Sequence, residues 1–160
     1  MLRERYQMEY EPELLRGILA HAVRCYPVEG CGLVFAGPRG ARALPVENAL
    51  DRYHARDPVR FPRTARTGYL MDPLRQLEAF EAAEAAGEKL VAVFHSHADV
   101  GAYFSEEDRA QALGANATPL FPGVEYLVLS VRAAGCDAIL GFRFAGEGRW
   151  LERTIALPPG

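Results

Sequence analysis

Leu90-Val91-Ala92-Val93-Phe94-His95-Ser96-His97 decides how this chain is read. Five apolar residues in a row suit a buried central strand. One residue separates His95 from His97, and on a strand that spacing puts both side chains on one face. The strand therefore ends by presenting two imidazoles at its carboxyl end. Ahead of it, Asp72-Pro73 opens a helix, an N-cap followed by proline in the first turn. Leu74, Leu77, Phe80 and the alanines form that helix's apolar face, and Gly87 stops it. A helix leading into a central strand is the mark of an α/β domain.

Downstream, Ser105-Glu106-Glu107-Asp108 begins another helix, running to about Leu113. Ser-x-x-Asp is close to a capping box, in which side chains satisfy the free N–H groups of a helix start. Taken alone the tetrapeptide reads that way, and Asp108 cannot readily cap and ligate at once. With His95 and His97 just upstream, a second chemistry opens. Two imidazoles and a carboxylate suit Zn²⁺, and three protein ligands leave the fourth tetrahedral position for water, as in catalytic sites. The same donors describe the facial triad of non-haem iron oxygenases. The H-E-x-x-H signature of zincins and the zinc deaminase pattern are both absent.

The rest of the chain bounds the answer. Its 160 residues suffice for one domain, 1–160, with a sizeable core. Hydrophobic residues at 49% and charged residues at 24% fit a soluble globular protein. No apolar run approaches the ~20 residues of a membrane helix, so no membrane partner is expected. Met1–Tyr6 lacks the apolar core of a signal peptide, and a cytoplasmic location is the expectation. Cys25, Cys31 and Cys136 are odd in number and form no C-x-x-C, which fits reduced thiols. A net charge of −3 argues against a general nucleic-acid partner.

Pro12 to Cys25 reads as the first helix, with Leu14, Leu15, Ile18, Leu19 and Ala22 at helical spacing. Cys31–Phe35 and Ala41–Glu47 read as a hairpin about Gly37-Pro38-Arg39-Gly40. Past the Ser105 helix, Glu125–Val131, Cys136–Phe144 and Arg149–Ala156 read as strands. Asp51–Gly68 is the least regular part. Five arginines against two aspartates give it a formal charge of +3. It reads either as a solvated loop with an edge strand, or as a partly ordered insertion that steers an acidic protein partner. His54 within it reads as surface, and His21 on the first helix as structural.

The spacing His95-x-His97, seven residues, Ser105, two residues, Asp108 resembles the JAMM (MPN-plus) zinc metalloprotease family. The family also carries an upstream Glu before a small residue, Cys and Gly, and Glu29-Gly30-Cys31-Gly32 matches that context. Ala98 and Phe104 stand where the family often has proline; neither position supplies a ligand. The short, insertion-poor chain looks like the stand-alone prokaryotic members. The resemblance implies a single α/β domain, a central mixed sheet flanked by helices with cytidine-deaminase-like layering. It implies one zinc per chain on His95, His97 and Asp108. Glu29 would move a proton between water and the leaving amine, with Glu47 the alternative carboxylate, and Ser105 would support the oxyanion. The implied reaction is hydrolysis of a peptide or isopeptide bond at the small-residue tail of a ubiquitin-like or sulfur-carrier protein. A non-catalytic scaffold of the same fold is the competing expectation, and a lost ligand would mark it; an iron oxygenase needs neither Glu29 nor Ser105.

Overall fold

The computed structural model describes residues 8–160; the expectation about Met1–Tyr6 falls outside the described residues. Helix α1 spans Pro12–Cys25, with its proline in the first turn. Strands β1 (Cys31–Gly37) and β2 (Gly40–Val46) form the expected hairpin. Gly40 closes its turn at φ +98°, in the left-handed region that glycine enters without steric cost. After α2 (Leu50–Arg56) and α3 (Pro73–Ala85) come β3 (Lys89–Ala98) and α4 (Glu106–Ala112). Strands β4 (Glu125–Arg132), β5 (Gly135–Gly146) and β6 (Arg149–Ile155) complete the chain.

The six strands form one sheet in the order β2-β1-β3-β4-β5-β6. Only β3 and β4 run parallel; every other pair is antiparallel. The sheet is thus mixed, and β3 sits inside it, as its apolar run requires. Side-chain alternation divides the core in two. Ala92 and Phe94 of β3 face α1, meeting Leu15, Ile18 and Ala22 together with Leu127 and Leu129 of β4. Val93 faces the other way, with Leu33, Phe35, Tyr126 and Val128, under Ala79 and Ala83 of α3. His95 and His97 continue the Val93 side by the same period of two.

Two expectations are corrected. Asp51–Gly68 contains no strand: it opens in α2 and continues through turns. Long-range bonds hold this shape. Asn48 Oδ1 accepts from the Leu50 and Leu70 amides, and Asp51 Oδ1 accepts from the Ala65 amide. His54 is half-buried, its Nδ1 2.7 Å from the Phe61 carbonyl. On α3 the face is also different. Leu74 and Leu77 are 60% and 55% exposed, while Ala79 and Ala83 are buried and Phe80 packs against the core. A step of three residues falls about 60° short of a full turn on a helix of 3.6 residues per turn. The series 74, 77, 80 therefore winds across the surface, whereas 79 and 83 stay on the sheet.

Gly32 pairs with Phe94 across β1 and β3. A Cβ on Gly32 would collide with the Phe94 ring and lie 2.5 Å from the Leu44 carbonyl oxygen. Phe94 is 1% exposed, so it has no free space to move into. Overpacking of this kind costs typically ~1–3 kcal/mol. Gly32→Ala is expected to lower the melting temperature by roughly 2–12 °C for a chain of this size; an unchanged melting curve would show that the ring can rotate away.

Candidate active site

The site is assembled at the carboxyl end of β3. His95 lies opposite Cys31 of β1 and Val128 of β4, and His97 opposite Ser130 of β4. Both rings point to the α3 side and are almost fully buried, at 0% and 4% exposure. Asp108 reaches the same point from the first turn of α4. Its Oδ2 lies 3.2 Å from His95 Nε2 and 3.3 Å from His97 Nε2, and the two Nε2 atoms are 3.2 Å apart. Sequence reasoning set capping against ligation for Asp108; in the structure the carboxylate caps α4 and also lies beside both imidazoles. The capping box is closed, with Ser105 Oγ accepting from the Asp108 amide at 3.1 Å and Asp108 Oδ2 accepting from the Ser105 amide at 3.0 Å. The cap holds the carboxylate aimed at the imidazoles.

This triangle fits a divalent cation. Bonds of ~2.0–2.1 Å to a tetrahedral zinc imply ligand–ligand edges of about 3.3–3.4 Å, close to the three separations found. The proton inventory agrees. His97 Nδ1 lies 3.0 Å from the Gly101 carbonyl oxygen, which can only accept, so the proton sits on Nδ1. With that ring neutral, the Nε2 lone pair faces a carboxylate oxygen, and the contact calls for a positive charge between them, either a second proton on the ring or a bound cation. A divalent cation would satisfy His95, His97 and Asp108 at once, which a proton on one ring cannot. Among the described residues His95 Nδ1 is buried without a hydrogen-bond partner; its ring is held by stacking on Tyr69, centroids 4.4 Å apart.

Charges in the site follow from burial and from these contacts. Full burial lowers His95 below the usual histidine value. Burial opposes charge on His97 too, but the bond to Asp108 and the charges of Glu29 and Asp108 raise it overall. Burial alone would raise Asp108; bonds from both imidazoles and from the Ser105 amide outweigh it and hold the carboxyl well below the usual carboxylate range.

Glu29 precedes β1 by two residues, and the period of two places it on the same face as Cys31 and, across the pair, His95. It is 5% exposed, with a carboxylate oxygen within 4.8 Å of a ring nitrogen of each histidine. A Glu29-His95-His97 set could also hold an ion, but Asp108 closes the tighter triangle. Burial pushes the Glu29 carboxyl up to about 8, against His97 and Arg63, which lower it. Its Oε1 has no hydrogen-bond partner among the described residues. Glu47, the alternative carboxylate, is instead half exposed and pairs with Arg52 at 3.3 Å. Cys31 is fully buried, and its thiol donates to the Val46 carbonyl.

Three supporting residues escaped sequence reasoning. Asn48 Nδ2 donates to the Glu29 carbonyl at 2.8 Å and to the Gly68 carbonyl at 3.1 Å. Ser96 Oγ accepts from the Gly30 amide at 2.8 Å. Tyr69 stacks on His95, and its carbonyl accepts from Gln111. Ser96 was open to detection, since it lies between the two histidines and must face the opposite side; Asn48 and Tyr69 carry no local signal.

Fold and site together define a peptidase domain of the JAMM/MPN type. The chain belongs to the prokaryotic homologs of the JAB domain, whose family model matches residues 11–139. It is 32% identical over 150 residues to the CysO-cysteine peptidase of Mycobacterium tuberculosis, covering 94% of this chain and 90% of that one. It is 37% identical over 100 residues to a Thermus thermophilus protein named "Probable TtuB-protein conjugate cleaving protease", covering 62% and 59% of the two chains. A solved protein of Salinibacter ruber superposes with a TM-score of 0.58 at 28% identity, over 94% of this chain and 92% of that one.

Proposed function

We propose that this chain is a zinc-dependent hydrolase that cuts a peptide or isopeptide bond at the C-terminal tail of a ubiquitin-like or sulfur-carrier protein. The observation that carries the reading is the buried triangle of His95, His97 and Asp108 with the Glu29 carboxylate within 4.8 Å of both rings. The names of the two relatives, a carrier–amino acid peptidase and a conjugate-cleaving protease, support the substrate class.

His95 Nε2, His97 Nε2 and Asp108 Oδ2 would hold the ion. When bound, zinc polarises the scissile carbonyl and brings the pKa of water towards ~7. Glu29 takes a proton from the attacking water and returns it to the leaving nitrogen, a shuttle that a buried, unpaired carboxylate can perform. Ser105 Oγ accepts from the Asp108 amide, which leaves its hydroxyl proton free to donate to the oxyanion. Tyr69, stacked on one face of His95, and Tyr103, edge-on to His97 at 4.8 Å, keep bulk water from the rings. Incubation of the zinc-loaded protein with a carrier bearing one extra C-terminal residue, followed by intact-mass analysis, tests the reading. Loss of that residue, prevented by chelation, is expected; an unchanged mass in both samples would sink it.

The arginine-bearing segment divides by position. Arg52 is committed to Asp72 and Glu47, and Arg63 and Arg66 line the cleft. Arg56 and Arg60 are exposed and form no ion pair among the described residues. They are the two placed to steer an acidic carrier. Arg56→Gln with Arg60→Gln is expected to raise KM for the folded carrier and flatten its salt dependence, because rim charges act mainly on the on-rate and are screened beyond ~8–10 Å. A short tail peptide should be cut as before; equal loss on both substrates would place these arginines in the cleft itself.

A further inference from the structure

A second cavity, of about 220 Å³, opens on the α3 side of the sheet and takes no part in the chemistry above. The sheet supplies Leu33 of β1, Val93 of β3 and Tyr126 of β4 to it. Val93 lies two residues before His95 and shares its face, and Leu33 pairs with Val93. Gln76 of α3 and Leu120 and Phe121, from the loop after α4, complete the lining on the outer side. That loop is tied down. The Leu120 amide donates to the Ala112 carbonyl at 3.0 Å, and Phe121 stacks on Phe80 with centroids 5.6 Å apart. No charged residue among those described lines the cavity, so it favours an uncharged, apolar occupant. Pockets for drug-sized ligands run ~300–1,000 Å³; this one suits one side chain.

The cavity continues the catalytic cleft, because two segments border both. Thr67 faces the cleft, and Tyr69, Leu70 and Met71 face the cavity. On α4, Glu107 and Asp108 border the cleft and Gln111 borders the cavity. Residues three and four apart share one side of a helix. Glu107 to Gln111 is a wall about 6 Å long, at 1.5 Å per residue. Gln111 Nε2 donates to the Tyr69 carbonyl at 2.8 Å and so joins the two segments. Tyr69 also stacks on His95, which puts the cavity one ring away from the metal triangle. An extended chain advances ~3.3 Å per residue, so a bond held at the triangle is two or three residues from the cavity. Glu29, which serves the leaving nitrogen, borders the cleft and not the cavity. The leaving group is drawn to Glu29, and the acyl chain runs the other way, along α4. Gln76 is half-buried and makes no side-chain hydrogen bond among the described residues, which leaves its carboxamide free for the main chain of such a tail.

We propose that this cavity is a specificity subsite for one aliphatic side chain of the carrier tail, two or three residues before the scissile bond. This rests on the hydrolase reading and adds a sequence requirement to it. Leu120 is 54% exposed at the mouth, and the tail side chain would cover it.

The test uses zinc-loaded protein and short Gly/Ser tail peptides that carry one Leu, Ala, Asp or Lys. That residue is moved through the four positions before the scissile bond and the one after it. Leu is expected to raise kcat/KM about tenfold or more over Ala and Asp, the usual worth of methylenes in an apolar pocket. The effect should appear at one position only, the second or third before the bond. Leu120→Asp puts a carboxylate at the mouth. It should erase the Leu preference at that position and raise cleavage of the Lys peptide above the parent's, with the other positions unaffected. Thermal melts check the fold, and Leu120→Ser, a milder change, should weaken the Leu preference alone. A flat profile in the parent, a Leu preference only after the bond, or a preference unchanged in both variants would overturn the proposal and leave the hydrolase reading standing. A flat profile with a dimer that Leu120→Asp dissolves, seen by sedimentation, would give the cavity to a second copy of the chain instead. Calorimetry with tail peptides that end in the carboxylate of the cut bond does not depend on turnover. If no peptide is cut, the hydrolase reading fails, and binding decides this proposal alone. Tighter binding of the Leu peptide than of the Asp peptide, lost in Leu120→Asp, supports it; equal affinity overturns it.

Discussion

Glu29→Gln is expected to retain one zinc per chain and to lose hydrolysis by ~10²–10⁴-fold, the usual worth of a positioned general acid–base. The substitution keeps the shape of the side chain and its place before β1, while removing its ability to take a proton. The metal should stay because Glu29 lies outside the tight triangle: the 3.2–3.3 Å separations are all among His95, His97 and Asp108. The fold should hold, since the backbone at Glu29 is tied by Asn48 and Ala65 independently of the side chain. Metal analysis and single-turnover kinetics on one preparation check both halves. Near-parental activity in Glu29→Gln, with Glu47→Gln inactive, would move the proton shuttle to the other carboxylate.

His97→Ala is expected to remove the metal and with it all turnover above background. The imidazole is one of three donors, and its loss should weaken zinc well beyond the ~10–100-fold that loss of a supporting hydrogen bond costs. Its Nδ1 also anchors the loop at the Gly101 carbonyl, so the cleft wall formed by Val100 and Tyr103 should loosen locally. The domain should still fold, because the two apolar layers on either side of β3 do not include the ring. Asp108 keeps its capping bonds to Ser105 in the variant. Stoichiometric zinc in purified His97→Ala would refute the assignment.

How much of this could be read from sequence depended on the distance over which each signal acts. The β3 run, the hairpin and the caps at Asp72 and Ser105 are local, and each is where local rules put it. The two histidines and Asp108 were legible because a strand period of two and one helix turn suffice to bring them together. Glu29 needed one more fact, that β1 pairs with β3 so that Cys31 meets His95; the Glu-Gly-Cys-Gly context supplied it only by resemblance. Where tertiary contacts decide, local reasoning failed. Asp51–Gly68 looks irregular because its order comes from Asn48, bonded to partners up to 22 residues away. Leu74 and Leu77 look like core residues, but the sheet selects the smaller Ala79 and Ala83, which let α3 lie close. Arg63 is one arginine among five until the chain folds it against Glu29.

The coordination of the metal tests the central claim most directly. Zinc K-edge absorption on protein purified without added metal should show two imidazoles and one carboxylate, completed by a single light atom from solvent, with no sulfur in the shell and about one zinc per chain. Bound iron, a thiolate ligand from Cys31, or no metal in an active enzyme would contradict it.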